Sequence, residues 1–128
     1  MKLAACILYV PDVPAALSFY ERAFGLSRKF LHESNTYGEL ATGATRLAFA
    51  AEALASENAG KFRPSRPDEP AQAAEVVFVT EDVPAALEVA LQAGATKLKA
   101  PEQKPWGQTV AYVRDLNGFL VELCTAWD

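Results

Sequence analysis

Two glutamates in this chain of 128 residues sit in segments that otherwise read as apolar strands. Glu122 lies within FLVELCT (119–125), which is apolar on both faces, and strand alternation places it on one face with Leu120 and Cys124. A carboxylate there is costly unless it is hydrogen-bonded, paired, protonated or ligating. Glu75 opens EVVFV (75–79), at a strand end that can be wet. Converging carboxylates in the second half of the chain could serve as base and acid, or as part of a metal site. The plainer reading has Glu75 solvated and Glu122 held by a Lys, an Arg or a backbone group. If a metal is present, Glu75 and Glu122 are its candidate ligands, and Mg or Mn with bound waters suits carboxylate oxygen. Zn or Fe held by imidazoles is not supported, since His32 is the only histidine and falls near a strand end in RKFLHES, as a surface residue would.

KPWGQT (104–109) is the other unusual stretch. Pro105 and Gly107 mark a loop, yet they flank Trp106, a large apolar side chain that a loop rarely exposes without reason. Trp106 either stacks on a flat ligand or plugs the open end of a sheet or a dimer seam. Tyr9, Tyr37 and Phe49 could extend an aromatic wall, or serve as ordinary core aromatics. Cys6 and Cys124 each lie in an apolar run without a CxxC or Cys/His cluster, so two reduced, buried thiols are expected, the alternative being a disulfide or redox pair. No G-x-S-x-G with Ser/His/Asp partners, no phosphate-cradling glycine loop and no HExxH occurs.

The elements that must position these residues repeat. DVPAAL occurs at 12–17 and again at 82–87. Each copy follows a β-rich run, LAACILYV (3–10) and AEVVFVT (74–80), and each opens a helix with Asp12 or Asp82 as N-cap and Pro14 or Pro84 in the first turn. Gly25 and Gly94 are placed to end the helices. Three short strands then follow in each half: 27–33, 36–42 and 45–51 in the first, and 95–100, 108–114 and 119–125 in the second. Asp115-Leu116-Asn117-Gly118 makes a hairpin turn. The organisation expected is module one at about 1–51, a connector at about 52–73 and module two at about 74–128. The connector's Pro64, Pro67 and Pro70 exclude a central strand, and EALASEN offers one helical turn.

Composition fits one globular domain, with 51% hydrophobic and 22% charged residues. A net charge of -4, with 12 basic residues against 16 acidic and no basic stripe, argues against nucleic acid as partner. No apolar run is long enough to span a bilayer and the start lacks a signal-like cleavage region, so no membrane partner and a cytoplasmic location are expected.

Two βαβββ modules, opened by ILYVPDVPAALSFYERAFGL and closed by VRDLNGFLVEL, resemble the vicinal oxygen chelate superfamily, which includes glyoxalase I, bleomycin resistance proteins, fosfomycin resistance enzymes and extradiol dioxygenases. The resemblance implies an α+β fold, with two tandem modules forming half-open eight-stranded sheets around a cleft, and a homodimer. It also implies that the Trp106 loop sits at the cleft mouth. Metal-using members place ligands on the first and last strands of each module. By that resemblance Ala5 occupies the first ligand position, Leu47 or Phe49 lies near the second, Glu75 falls at or beside the third and Glu122 matches the fourth, so two of the expected ligands are absent. The leading expectation is a small-molecule binding protein of the glyoxalase/bleomycin resistance type, without cofactor or metal, holding a planar or aromatic ligand. The alternative is a glyoxalase I-like lyase or isomerase using Glu122 and Glu75 with a divalent metal.

Overall fold

The computed structural model describes residues 1–127, which fall into two compact units, Met1–Pro64 and the chain from Ser65 onward. The first unit runs β1 (Ala5–Val10), α1 (Val13–Phe24), β2 (Arg28–Leu31), β3 (Tyr37–Leu40), β4 (Arg46–Ala51) and α2 (Glu52–Ala59). The second runs β5 (Glu75–Val79), α3 (Val83–Gln92), β6 (Thr96–Gln103), β7 (Thr109–Arg114) and β8 (Leu120–Cys124). Each unit therefore carries the expected βαβββ order, and its four strands form an open sheet, β1-β4-β3-β2 in one and β5-β8-β7-β6 in the other. The first and last strands of each module pair in parallel and the rest antiparallel.

The repeated hexapeptide builds the same helix start twice. The Asp12 carboxylate accepts from the Ala15 N–H at 3.0 Å, and Asp82 accepts from Ala85 at 3.1 Å, with proline in the first turn of each helix. Gly25 closes α1 in the left-handed region at φ 66°, whereas α3 is capped by Ala93 and Gly94 follows it at φ 113°.

One helix covers one face of each sheet. In the first unit, α1 buries Leu17, Phe19 and Tyr20 completely or nearly so, and the Tyr20 ring meets Phe49 of β4 edge-on at 5.0 Å between centroids. Burying each such side chain contributes roughly 1.5–3 kcal/mol. In the second unit the equivalent face is built from Ala111 and Val113 of β7 with Val121 and Leu123 of β8, and α3 supplies Val83, Leu87 and Ala90.

Three details depart from the sequence reading. EALASEN extends into the two-turn helix α2, and the expected connector divides: its first part belongs to the first unit, where Phe62 packs on Tyr9 with centroids 4.9 Å apart. Residues 65–67 instead fasten to the β7–β8 hairpin. The Ser65 hydroxyl donates to the Asn117 carbonyl at 2.9 Å, and the Arg114 guanidinium donates to the carbonyls of Arg66, Pro67 and Gly118. Cys6 is exposed, not buried, because β1 is an edge strand; Cys124 is buried, and both thiols are free. Among the described residues no helix is long and apolar enough to cross a membrane.

The hairpin under this strap tolerates nothing larger than glycine. Gly118 has φ 90°, and an added Cβ would lie 2.6 Å from the Arg66 carbonyl oxygen. Gly118→Ala is expected to cost about 2 kcal/mol or more in urea unfolding, adding collision to backbone strain. Gly43→Ala, also at positive φ (80°) but with nothing within 4 Å, should cost about 1 kcal/mol.

Candidate functional site

Alternation along the strands of the second unit leaves a second face that α3 does not cover. The register places Glu75, Val77 and Val79 of β5 beside Leu120, Glu122 and Cys124 of β8, and these beside Arg114, Tyr112 and Val110 of β7. Val77 and Val79 are exposed there. Glu122 lies at the centre, half-buried, and among the described residues no Lys, Arg or backbone group holds it. The Tyr112 hydroxyl donates to its Oε1 at 2.8 Å. Glu75, one step diagonal on the neighbouring strand, hydrogen-bonds to the same carboxyl group, so the structure brings the two sequence-selected glutamates together.

Placing a second carboxyl beside Glu122 makes it harder for Glu75 to lose its proton. Although Glu75 as a residue is exposed, its carboxyl end loses hydration against the sheet, and this together with the hydrogen bond and charge of Glu122 raises its pKa. Tyr112 is pushed up to about 12, first by its hydrogen bond to Glu122 and then by burial. Burial, followed by a hydrogen bond to Glu122, raises the Cys124 thiol to about 11, which makes it a poor nucleophile at neutral pH. The arrangement is a glutamate side chain accepting from a phenol, with a second carboxyl and a thiol beside it. Cys124 was expected on this face as a buried thiol, whereas Tyr112 was passed over in the sequence, although the alternation of TVAYVR opposite LVELC holds the signal.

Trp106 stands in the β6–β7 hairpin loop, closed by Lys104 N–H donating to the Gln108 carbonyl at 2.7 Å. Its side chain is 68% exposed, too open for a core plug. The indole Nε1 donates to the Gln108 side-chain oxygen at 2.6 Å, and the Gln108 amide donates to the Thr125 carbonyl at 2.8 Å, just past β8. Gln108 also hydrogen-bonds Cys124, which links the aromatic loop to the carboxylate pair through named contacts.

The remaining aromatic candidates lie in the first unit and separate by strand parity. Tyr9 and Tyr37 are half-buried on the face away from α1, both in register with Ala50. Phe49 points the other way, fully buried against Tyr20, so it is a core residue and not part of an aromatic wall. The same parity corrects the second ligand position: Ala48, not Leu47 or Phe49, stands in β4 where Glu122 stands in β8, and Ala5 stands in β1 where Glu75 stands in β5. His32 is exposed in the β2–β3 turn, its Nδ1 2.7 Å from the Ser34 hydroxyl.

The sequence model of the Glyoxalase/Bleomycin resistance protein/Dioxygenase superfamily matches residues 2–123. The chain belongs to this superfamily. Solved relatives agree in fold across nearly the whole length. A glyoxalase-related enzyme from Fulvimarina pelagi is 21% identical, with a TM-score of 0.84 over 98% of this chain and 88% of its own. A superfamily enzyme from Burkholderia phytofirmans PsJN has 21% identity and a TM-score of 0.78, covering 99% and 100% of the two chains. TioX from Micromonospora sp. ML1 also has 21% identity and covers 99% and 100%, with a TM-score of 0.73. No curated protein matches the sequence.

Within this vicinal oxygen chelate fold, the donor set does not suit the divalent metal that the superfamily implies. Ala5 and Ala48 carry no donor, Glu75 and Glu122 are engaged with each other, and no three His, Cys, Asp or Glu side chains gather among the described residues.

The shared carboxyl pair makes stability depend on pH. Because the folded state holds the Glu75 proton above the ordinary glutamate value of 4.5, its contribution is fully present below that value and is lost as pH rises through the raised folded pKa. Thermal unfolding scans should show Tm falling as pH rises above about 4.5, with the slope reduced in Glu75→Gln. An unchanged slope in that variant would show the pair is not the source.

Proposed function

We propose that the protein binds small molecules in the manner of the glyoxalase/bleomycin resistance type, without metal, and holds a planar or aromatic ligand against Trp106. The observation that carries this reading is an indole two-thirds exposed yet fixed through Gln108 to the end of β8. A held aromatic surface binds a flat ring without the entropy cost of ordering a loose one. The apolar side chains of Val77 and Val79 extend the same uncovered face, and Tyr112 with the carboxyl pair supplies polar acceptors. Tyr9 and Tyr37 are proposed as further ring contacts in the first unit.

The alternative is a glyoxalase I-like lyase or isomerase using Glu122 and Glu75. The closeness of these carboxyls supports it, since a carboxyl whose pKa is raised by its neighbour is suited to acid–base work. The donor set opposes it, because such chemistry needs a metal to polarise the substrate oxygen.

One titration separates the two readings. In a Trp127→Phe background, Trp106 fluorescence should respond saturably to bleomycin or to a fused-ring aromatic in a panel, and Trp106→Ala should weaken that binding about tenfold. No saturable response across the panel, or an intact affinity in Trp106→Ala, would refute the binding reading. Stoichiometric metal in protein purified without chelators, lost in Glu122→Gln, would favour the enzyme instead.

A homodimer belongs to the same reading, because each unit leaves apolar side chains such as Ile7, Val77 and Val79 exposed along edge strands. Light scattering at micromolar concentration should give twice the chain mass of 13.8 kDa.

A further inference from the structure

Glu39 of β3 is 95% buried as a residue, being 5% exposed, and one of its two carboxylate oxygens has no hydrogen-bond partner. The satisfied oxygen, Oε2, accepts from the Tyr37 hydroxyl at 2.7 Å. The other, Oε1, has Lys29 Nζ at 3.8 Å, close enough for attraction but too far for a hydrogen bond. A buried carboxylate oxygen left so is expensive, and in native proteins such a group calls for a specific partner.

The backbone beside it is shaped around that oxygen. Strands β2 and β3 pair with a bulge between Arg28 and Phe30, so Phe30 is in register with Glu39 while its neighbour Lys29 also reaches the same carboxylate. In a regular strand these two consecutive side chains would point to opposite faces; the bulge brings both to Glu39. Phe30 is 41% exposed and its ring lies 5.8 Å from that of Tyr37, while the Lys29 side chain is half exposed. The result is a buried carboxylate that accepts from Tyr37, stands in register with Phe30 and has a half-exposed lysine ammonium 3.8 Å from its Oε1. Arg28, next along β2, is occupied elsewhere, donating to Glu21 at 2.8 Å and to Ser18.

We propose that Glu39, Phe30 and Tyr37 form a recognition site for an organic ammonium group on an aromatic or apolar stem, with Lys29 as an internal cation that the ligand displaces. The incoming ammonium completes the hydrogen bonding of Glu39 Oε1, which Lys29 at 3.8 Å does not, and lies against the faces of Phe30 and Tyr37. The site uses none of the residues of the Trp106 loop; it shares Tyr37 with the ring contacts proposed above and rests on Glu39, which that reading does not use.

Benzylammonium is a suitable probe, combining a permanent charge at neutral pH with one ring. Calorimetric titration of the full chain should show saturable binding, weakened roughly tenfold or more in Glu39→Gln and unchanged in Trp106→Ala. Lys29→Met, which removes the competitor, should tighten binding and enlarge the rise in Tm given by benzylammonium. If the Glu39→Gln variant does not fold, Lys29→Met serves as the test, because the proposal requires tightening there. Absence of binding to both the wild-type chain and Lys29→Met would overturn the proposal, as would equal affinity in Glu39→Gln or in Lys29→Met. Loss of binding in Trp106→Ala would assign the cation to the other unit and overturn it equally.

Discussion

Each unit has a single long helix lying across four strands, and one helix covers only one face of a sheet. Because successive strand residues point to opposite faces, this divides every strand into positions that must be apolar and positions free to carry chemistry. Phe49, Leu47 and Leu40 fill the first class in one unit, as Val121, Leu123 and Val113 do in the other. The second class holds Glu39 with Tyr37, and Glu122 with Tyr112 and Glu75.

The two units use that freedom to build related contacts from different positions. In each, a tyrosine hydroxyl donates to a glutamate, at 2.7 Å in Tyr37–Glu39 and 2.8 Å in Tyr112–Glu122, and each phenol is pushed up to about 12. In the first unit both partners come from β3, and β4 opposite them carries Ala48. In the second the phenol comes from β7 and the carboxylate from β8. The duplicated scaffold thus preserves a type of contact while moving the charged residue from one strand to its neighbour. The consequences differ: Glu122 has the Tyr112 donor and a neighbouring acid, whereas Glu39 keeps one oxygen without a hydrogen bond.

Much of this was legible in the sequence because it depends on local rules. The repeat, the aspartate caps and the hairpin turn at 115–118 follow from spacing and alternation, whereas the closeness of Glu75 and Glu122 depends on the β5–β8 pairing, which only the family resemblance implied. Assigning Phe49 to an aromatic wall was an error of parity by one residue in a six-residue apolar strand, RLAFAA, whose two faces look alike until a helix is docked on one. Glu39 was passed over because YGEL is too short for alternation to reveal a buried acid, and the bulge that brings Lys29 to it has no marker in RKFL. The link from Trp106 through Gln108 to Thr125 joins segments distant in sequence, and only the β7–β8 pairing makes it visible.

The order of strands has a consequence for how the chain is made. In both sheets the last strand translated occupies an interior place, with the first strand on one side and the third on the other: β4 lies between β1 and β3, and β8 between β5 and β7. While a unit is being synthesised its opening strand has no native neighbour, and only the β2–β3 or β6–β7 hairpin can form early. Arrival of the final strand supplies both missing ladders at once, so each sheet closes late and as a single cooperative event. All four strands of the first unit are present once Ala51 has been added, well before the second set begins at Glu75.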